Sequence, residues 1–193
     1  MKENPITIGF DDATFELRSP LKKTTYLIGV VCQGIRLVNV FRKKIEIDGN
    51  DATKALIELA IQNELQVQYI LTDTITFGGF NIIDLNEVHL KTKKPVIAVT
   101  EREVDLDSVK TALIKRFPNK YKEKVQKIIN AGLLYETNIK TAGGFSKVYF
   151  HAIGIDIKDV ENLFQKTCVD SKLPESIRLA HIIGRMFLKK ELK

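Results

Sequence analysis

Two apolar runs of strand length, VQYILT at 67–72 and PVIAVT at 95–100, stand on either side of NIIDLNEVHLKTK, where Ile82, Ile83, Leu85 and Val88 fall at helical spacing. Strand, helix and strand in that order predict a parallel pair joined by a right-handed crossover. The chain before them has a different grammar. ITIGFD (6–11) is a short β-rich run, and TYLIGVVCQGIRLVNVFRKKIEID (25–48) reads as two strands broken near Gln33-Gly34, a hairpin signal. The second of these alternates through Leu37, Val38, Val40, Phe41, Ile45 and Ile47 with lysines between, the pattern of a half-solvated sheet edge. After Gly49-Asn50, Ala55, Leu56, Leu59 and Ala60 recur at helical spacing within DATKALIELAIQNEL. From 105 onward the chain reads as helix (LDSVKTALIKRF, then YKEKVQKIINAGL), strand (VYFHAIGIDI, 148–157) and two more helices, the last opened by Pro174. The expected fold is therefore α/β, with three antiparallel strands, then parallel strands, and helices flanking one mixed sheet. Without a repeat or linker, 1–193 is expected to form a single domain.

This order gives the strand ends a meaning. A crossover from the third strand through a helix can return the fourth strand to the side of the first, about 4.8 Å away. Asp11 closes the first run and Asp73 the fourth, so their carboxylates converge at one edge of the sheet. Paired carboxylates there suit one divalent ion, or two, that activate water and stabilise a leaving oxyanion in phosphodiester cleavage. A third acid, Asp51, comes from DGND at 48–51; it equally suits a helix N-cap, as Asp48-Gly49 suits a turn. Asp12 is expected to point away from Asp11 into solvent or onto the next loop. Gly78 and Gly79, after Asp73, allow a phosphate or sugar to pass close to the backbone.

Composition restricts the rest. A hydrophobic fraction of 44% and a charged fraction of 28% describe a globular chain. No run approaches the roughly 20 apolar residues of a membrane span, and MKENPITIGF has no leader pattern, so a cytoplasmic protein with no membrane partner is expected. The net charge of +6 suits an anionic partner or a merely solvated surface. Cys32 and Cys168, with no CxxC, are expected as inert buried thiols. His89, His151 and His181 read as structural, and Glu175 and Arg178 as an intrahelical ion pair. There is no Walker motif, nucleophile elbow or dinucleotide fingerprint.

GFDD near the N-terminus, the DGNDAT turn, GGFNIIDL after Asp73, PVIAVT and LPESIRLAH together resemble, in order and over nearly the whole chain, an archaeal family related to endonuclease V and described as endonuclease dU. The resemblance implies an RNase H-like fold and a metal-dependent nicking of DNA at deaminated bases, deoxyuridine above all. Asp11 then matches the first-strand acid of endonuclease V, Asp73 the acid of its Asp-Gly segment, and Asp51 falls where it has a catalytic Glu. The chain departs from endonuclease V in having Thr100 where the PVIAVT-like strand ends in Lys, with Arg102 two residues on, and in lacking its strand-separating wedge before Asp51.

The leading expectation is a DNA endonuclease, with RNA as the other polymer, whose Asp11, Asp51 and Asp73 hold Mg²⁺ (or Mn²⁺). Gly78, Gly79, Phe80, Thr100 and Arg102 are the expected substrate contacts, and Lys43, Lys44, Arg102 and Lys147 the expected phosphate contacts. Phe77, Phe80 and Tyr26 are alternatives between base-stacking walls and core residues. The competing expectation is a nucleic-acid-binding protein that keeps the fold without the chemistry.

Overall fold

The computed structural model describes residues 1–16, 23–62, 67–103 and 105–187. The end of the first helical pattern (63–65) and the lysines at 189–190 lie outside the described residues. Strands β1 (Ile6–Asp12), β2 (Thr24–Gln33) and β3 (Arg36–Glu46) form an antiparallel meander. Helix α1 (Ala52–Ile61) then carries the chain back past the first strand, and β4 (Tyr69–Asp73) pairs parallel with β1. A two-residue-per-arm hairpin, β5 (Thr76–Phe77) and β6 (Asn81–Ile82), and helix α2 (Leu85–Thr92) lead to β7 (Val96–Thr100), parallel to β4. Helices α3 (Leu106–Arg116) and α4 (Tyr121–Asn130) precede a second hairpin, β8 (Tyr135–Thr141) and β9 (Gly144–Ile153), whose β9 lies antiparallel against β7. The chain closes with α5 (Ile157–Thr167) and α6 (Glu175–Arg185). The strand order is β3-β2-β1-β4-β7-β9-β8.

Side-chain alternation along the central strands feeds two cores, one on each face. Ile8, Phe10, Ile70, Val96 and Ala98 pack with α1 and α2, whereas Leu71, Ile97, Val99 and Phe150 pack with α5 and Ile177 of α6. The meander, the crossover and the edge strand are those expected; Leu37, Val38 and Val40 of β3 remain exposed. Two elements differ from expectation. YETNIKT is a strand, although it is charged at alternate positions and buries only Ile139, because it is the far edge of the sheet and pairs with β9 alone. The final strand also begins earlier, at Gly144, where Ala142-Gly143 makes the turn of that hairpin. Among the described residues, no helix is long and apolar enough to cross a membrane.

Candidate metal centre

The register between β1 and β4 pairs Phe10 with Thr72, so the next residues out, Asp11 and Asp73, end the two parallel strands side by side. Helix α6 crosses directly over β1 because the contact is made of atoms without side chains. A Cβ on Gly9 would lie 2.4 Å from the Ser176 carbonyl carbon, and one on Gly184 would lie 2.6 Å from the Asp12 carbonyl oxygen. Thr7 Oγ1 donates to Ser176 Oγ at 3.0 Å, which pins the start of the helix. Between these points stands His181, its Nδ1 2.7 Å from Asp11 Oδ2. Asp11, Asp73 and His181 each offer a ligand atom, and the three atoms lie within 4.8 Å of one another, the one such group among the described residues.

The charge at this strand edge favours a cation. Asp73 is pushed up to about 7 by burial and then by the charges of Asp11, Glu101 and Asp12. Asp12 is pushed up to about 6 by burial and then by Asp11. Burial also raises Asp11, against the hydrogen bonds from His181 and the Asp12 N–H. Three carboxylates held this close repel one another, and each would be relieved by a divalent ion. Two hard carboxylate oxygens and an imidazole are a suitable donor set for such an ion.

The loops beneath this edge are tied together by one network. Gly78 and Gly79 both have positive φ, 52° and 84°, which turns the β5–β6 hairpin so that the Gly78 N–H donates to Asp12 Oδ2 at 2.5 Å. Asp12 therefore faces the site rather than solvent. On its other side the hairpin meets the DGND turn: the Asp48 N–H donates to the Gly78 carbonyl at 2.7 Å, and the Phe80 N–H donates to Asp48 Oδ1 at 2.9 Å. Buried Lys124 closes the joint, its Nζ donating to the carbonyls of Asp48, Gly49 and Phe80 and to Asn50 Oδ1.

Asp51 belongs to this joint and is not a member of the Asp11–Asp73–His181 group. Its carboxylate accepts from the Glu46 N–H at 3.1 Å and from Asn81 Nδ2 at 2.6 Å. It makes no cap bond either; Asn81 Oδ1 takes the Ala52 N–H at the start of α1 instead. The third member of the cluster is thus His181. Sequence order hides it, since the helix that carries it is the last in the chain. The only local signal is that Ala180 and Gly184, four apart, mark the sheet-facing side of α6.

The expected substrate contacts surround the centre. Thr100 and Arg102 line a cleft with Asp73, Glu101, Arg178 and His181, and Arg185 lines the adjoining carboxylate cleft. Phe80 lines an apolar cavity and packs edge-on against Phe117, ring centroids 5.9 Å apart. Phe77 is wholly buried, and Tyr26 packs against Phe187 beneath Arg42, so both are core residues. Lys43 is paired with Glu58 and Lys147 with Glu136. Cys32 and Cys168 are buried free thiols, each pushed up to about 12 by burial.

A model of the family described as endonuclease dU matches residues 6–188. The chain belongs to the endonuclease dU family. Related UPF0215 proteins include that of Thermococcus sibiricus, 37% identical over 96% of this chain and 93% of the relative, and that of Methanocaldococcus jannaschii, 34% identical over 97% of each. The crystal structure of a protein of unknown function from Archaeoglobus fulgidus superposes with a TM-score of 0.79 at 26% identity, covering 93% of this chain and 96% of that one. Endonuclease V of Ciona intestinalis, solved with DNA containing an inosine followed by a ribo-adenosine, superposes with a TM-score of 0.60 at 16% identity, over 97% of this chain and 87% of that one. The fold of this endonuclease dU family member is thus the RNase H-like mixed sheet of endonuclease V.

Proposed function

We propose that this chain is a divalent-metal-dependent endonuclease that nicks DNA at or near deaminated bases, deoxyuridine in particular, with Mg²⁺ or Mn²⁺. The observation that carries the reading is the convergence of Asp11 and Asp73, from adjacent parallel strand ends, with His181 from α6. An ion held by these residues would supply an acidified water and neutralise charge at the departing oxygen. His181 fixes the Asp11 carboxylate from above, while the Gly78 N–H fixes Asp12 from the hairpin. Arg102 and Arg185, exposed beside the two clefts, are placed to meet phosphate oxygens. In the reaction, water oxygen bonds to phosphorus as the P–O3′ bond breaks, and the departing oxygen takes a proton, leaving a 5′-phosphate and a 3′-hydroxyl.

Asp51 supports the site indirectly, by holding Asn81 and the end of β3, and so keeps the hairpin against Asp12. The preference for deoxyuridine follows the family description, and the preference for Mg²⁺ or Mn²⁺ follows from the two carboxylates. Labelled duplexes carrying uracil, hypoxanthine or an abasic site, incubated with Mg²⁺, Mn²⁺ or EDTA, test the proposal. Metal-dependent incision beside uracil is the expected result. Tight binding without incision under any metal would instead assign the chain to non-catalytic nucleic-acid binding.

A further inference from the structure

On the sheet face opposite α6 lies a cavity of about 200 Å³ that the metal chemistry does not use. Phe80 from the hairpin, Val109 from α3, Ile128 from α4 and His151 from β9 line it. Its remaining walls include Thr74 and Thr76, which also line the carboxylate cleft. The strand end that carries Asp73 therefore separates a polar cleft from an apolar pocket by the thickness of one backbone. A nucleotide whose phosphate lies at the carboxylates has its base within reach of the pocket by passing over Thr74.

The polar group in this pocket has a defined hydrogen-bonding sense. His151 Nδ1 is 3.1 Å from the Leu133 carbonyl oxygen. A carbonyl only accepts, so Nδ1 carries the hydrogen. Burial lowers the affinity of the ring for a second proton, against the favourable backbone contacts. The nitrogen left for a ligand, Nε2, thus presents a lone pair in an otherwise apolar setting.

We propose that this cavity takes an extrahelical base bearing an imide or lactam N–H, with His151 Nε2 accepting that hydrogen and Phe80 providing a ring wall. This inference rests on the proposed nicking of DNA at deaminated bases and names what selects them. Deamination of cytosine turns its N3 from an acceptor into a donor, and deamination of adenine does the same at N1. An acceptor in the pocket therefore pairs with uracil and hypoxanthine and opposes cytosine and adenine, whose lone pairs would face its own. Thymine shares the imide N–H but is held in the stack by pairing with adenine, whereas uracil opposite guanine is mispaired and costs less to extrude.

The test uses the full chain with Asp73→Asn, which stops cutting, and guanine-paired duplexes bearing a central uracil, N3-methyluracil or cytosine. Uracil is expected to bind about tenfold or more tighter than the other two, the worth of one matched buried hydrogen bond. His151→Phe, which keeps the ring shape, is expected to equalise uracil and N3-methyluracil. Equal binding of uracil and N3-methyluracil by the His151 protein overturns the proposal, as does a preference that survives in a folded His151→Phe variant. The N3-methyl comparison decides alone if that variant fails to fold. Incision by the wild-type chain without such a preference sinks the pocket and leaves the nuclease. A His151-dependent preference without incision in any metal does the reverse.

Discussion

Asp73 ends its strand among acids, and its behaviour distinguishes a metal ligand from an ordinary surface carboxylate. Loss of a group that merely supports a ligand typically costs about 10–100-fold, so Asp73→Asn should reduce incision by at least that much, measured at saturating Mn²⁺. The same residue predicts how the metal-free protein responds to pH. Its folded value of about 7 lies above the ordinary 3.8. For a raised acid, the stability it contributes is complete below the unfolded value and is lost as pH rises through the folded one. The melting temperature in EDTA should therefore fall between about pH 4 and pH 8, a span set by these two values. Mn²⁺ should restore it most at the alkaline end. Asp73→Asn should flatten the profile and stabilise the metal-free chain at pH 8 by on the order of 2 kcal/mol, after discounting for the partial exposure of the group. A flat profile in the unsubstituted chain would remove the crowded-carboxylate argument. Asp11 and Asp73 were legible because each stops an apolar run, a local feature. His181 was not, since its partner is 170 residues away and only the packing of α6 on β1 joins them. Asp51 was misjudged for a related reason: both readings of it looked along the chain, whereas Asn81 comes from another element.

Two elements hold the site, and each rests on a contact that one substitution can disturb. Gly9→Ala would drive a Cβ into the backbone of Ser176 and Ile177, at 2.4 and 2.5 Å, where no side-chain rotation can relieve it. Helix α6 must then lift from β1, at a cost of about 1–3 kcal/mol. Because the same movement draws His181 from Asp11, incision should fall by a larger factor than the folded fraction does. Activity that declines only in step with folded protein would show that His181 needs no such placement. The hairpin joint is tested by Lys124→Met, which keeps the buried stem and removes the ammonium from the carbonyls of Asp48, Gly49 and Phe80. Leaving these acceptors unmatched should cost about 2–3 kcal/mol in urea unfolding. A change below about 0.5 kcal/mol, the range of an ordinary surface substitution, would mean that water replaces the lysine. At this scale the sequence is most legible where burial is continuous. β4 and β7 are apolar at successive positions because they lie mid-sheet, and their crossover follows. β8 escapes notice because an edge hairpin has one buried position and otherwise resembles a charged loop.

For the whole molecule, the question is where a net charge of +6 acts. Lys43 on the β3 edge is paired with Glu58, and Lys147 on β9 with Glu136, so two of the basic residues expected to meet phosphate are already matched by acids. Arg178 is likewise held by Glu175 and Asp170. Exposed Arg102 and Arg185 differ in that they line the clefts around Asp73, on either side of the proposed cutting point. Counterion release makes log K fall linearly with log salt by about 0.9 for each phosphate neutralised. Arg102→Gln and Arg185→Gln, each placed in the non-cutting Asp73→Asn chain, should therefore each reduce the slope by about 0.9, whereas Lys43→Gln and Lys147→Gln should leave it within error. Affinities for one uracil-containing duplex, measured between about 50 and 200 mM salt, give these slopes directly. If the two lysines change the slope as much as the arginines do, the charge acts as a diffuse coat. The DNA would then not be threaded past the strand ends, and the convergence of Asp11, Asp73 and His181 would require a smaller phosphate ester as its substrate.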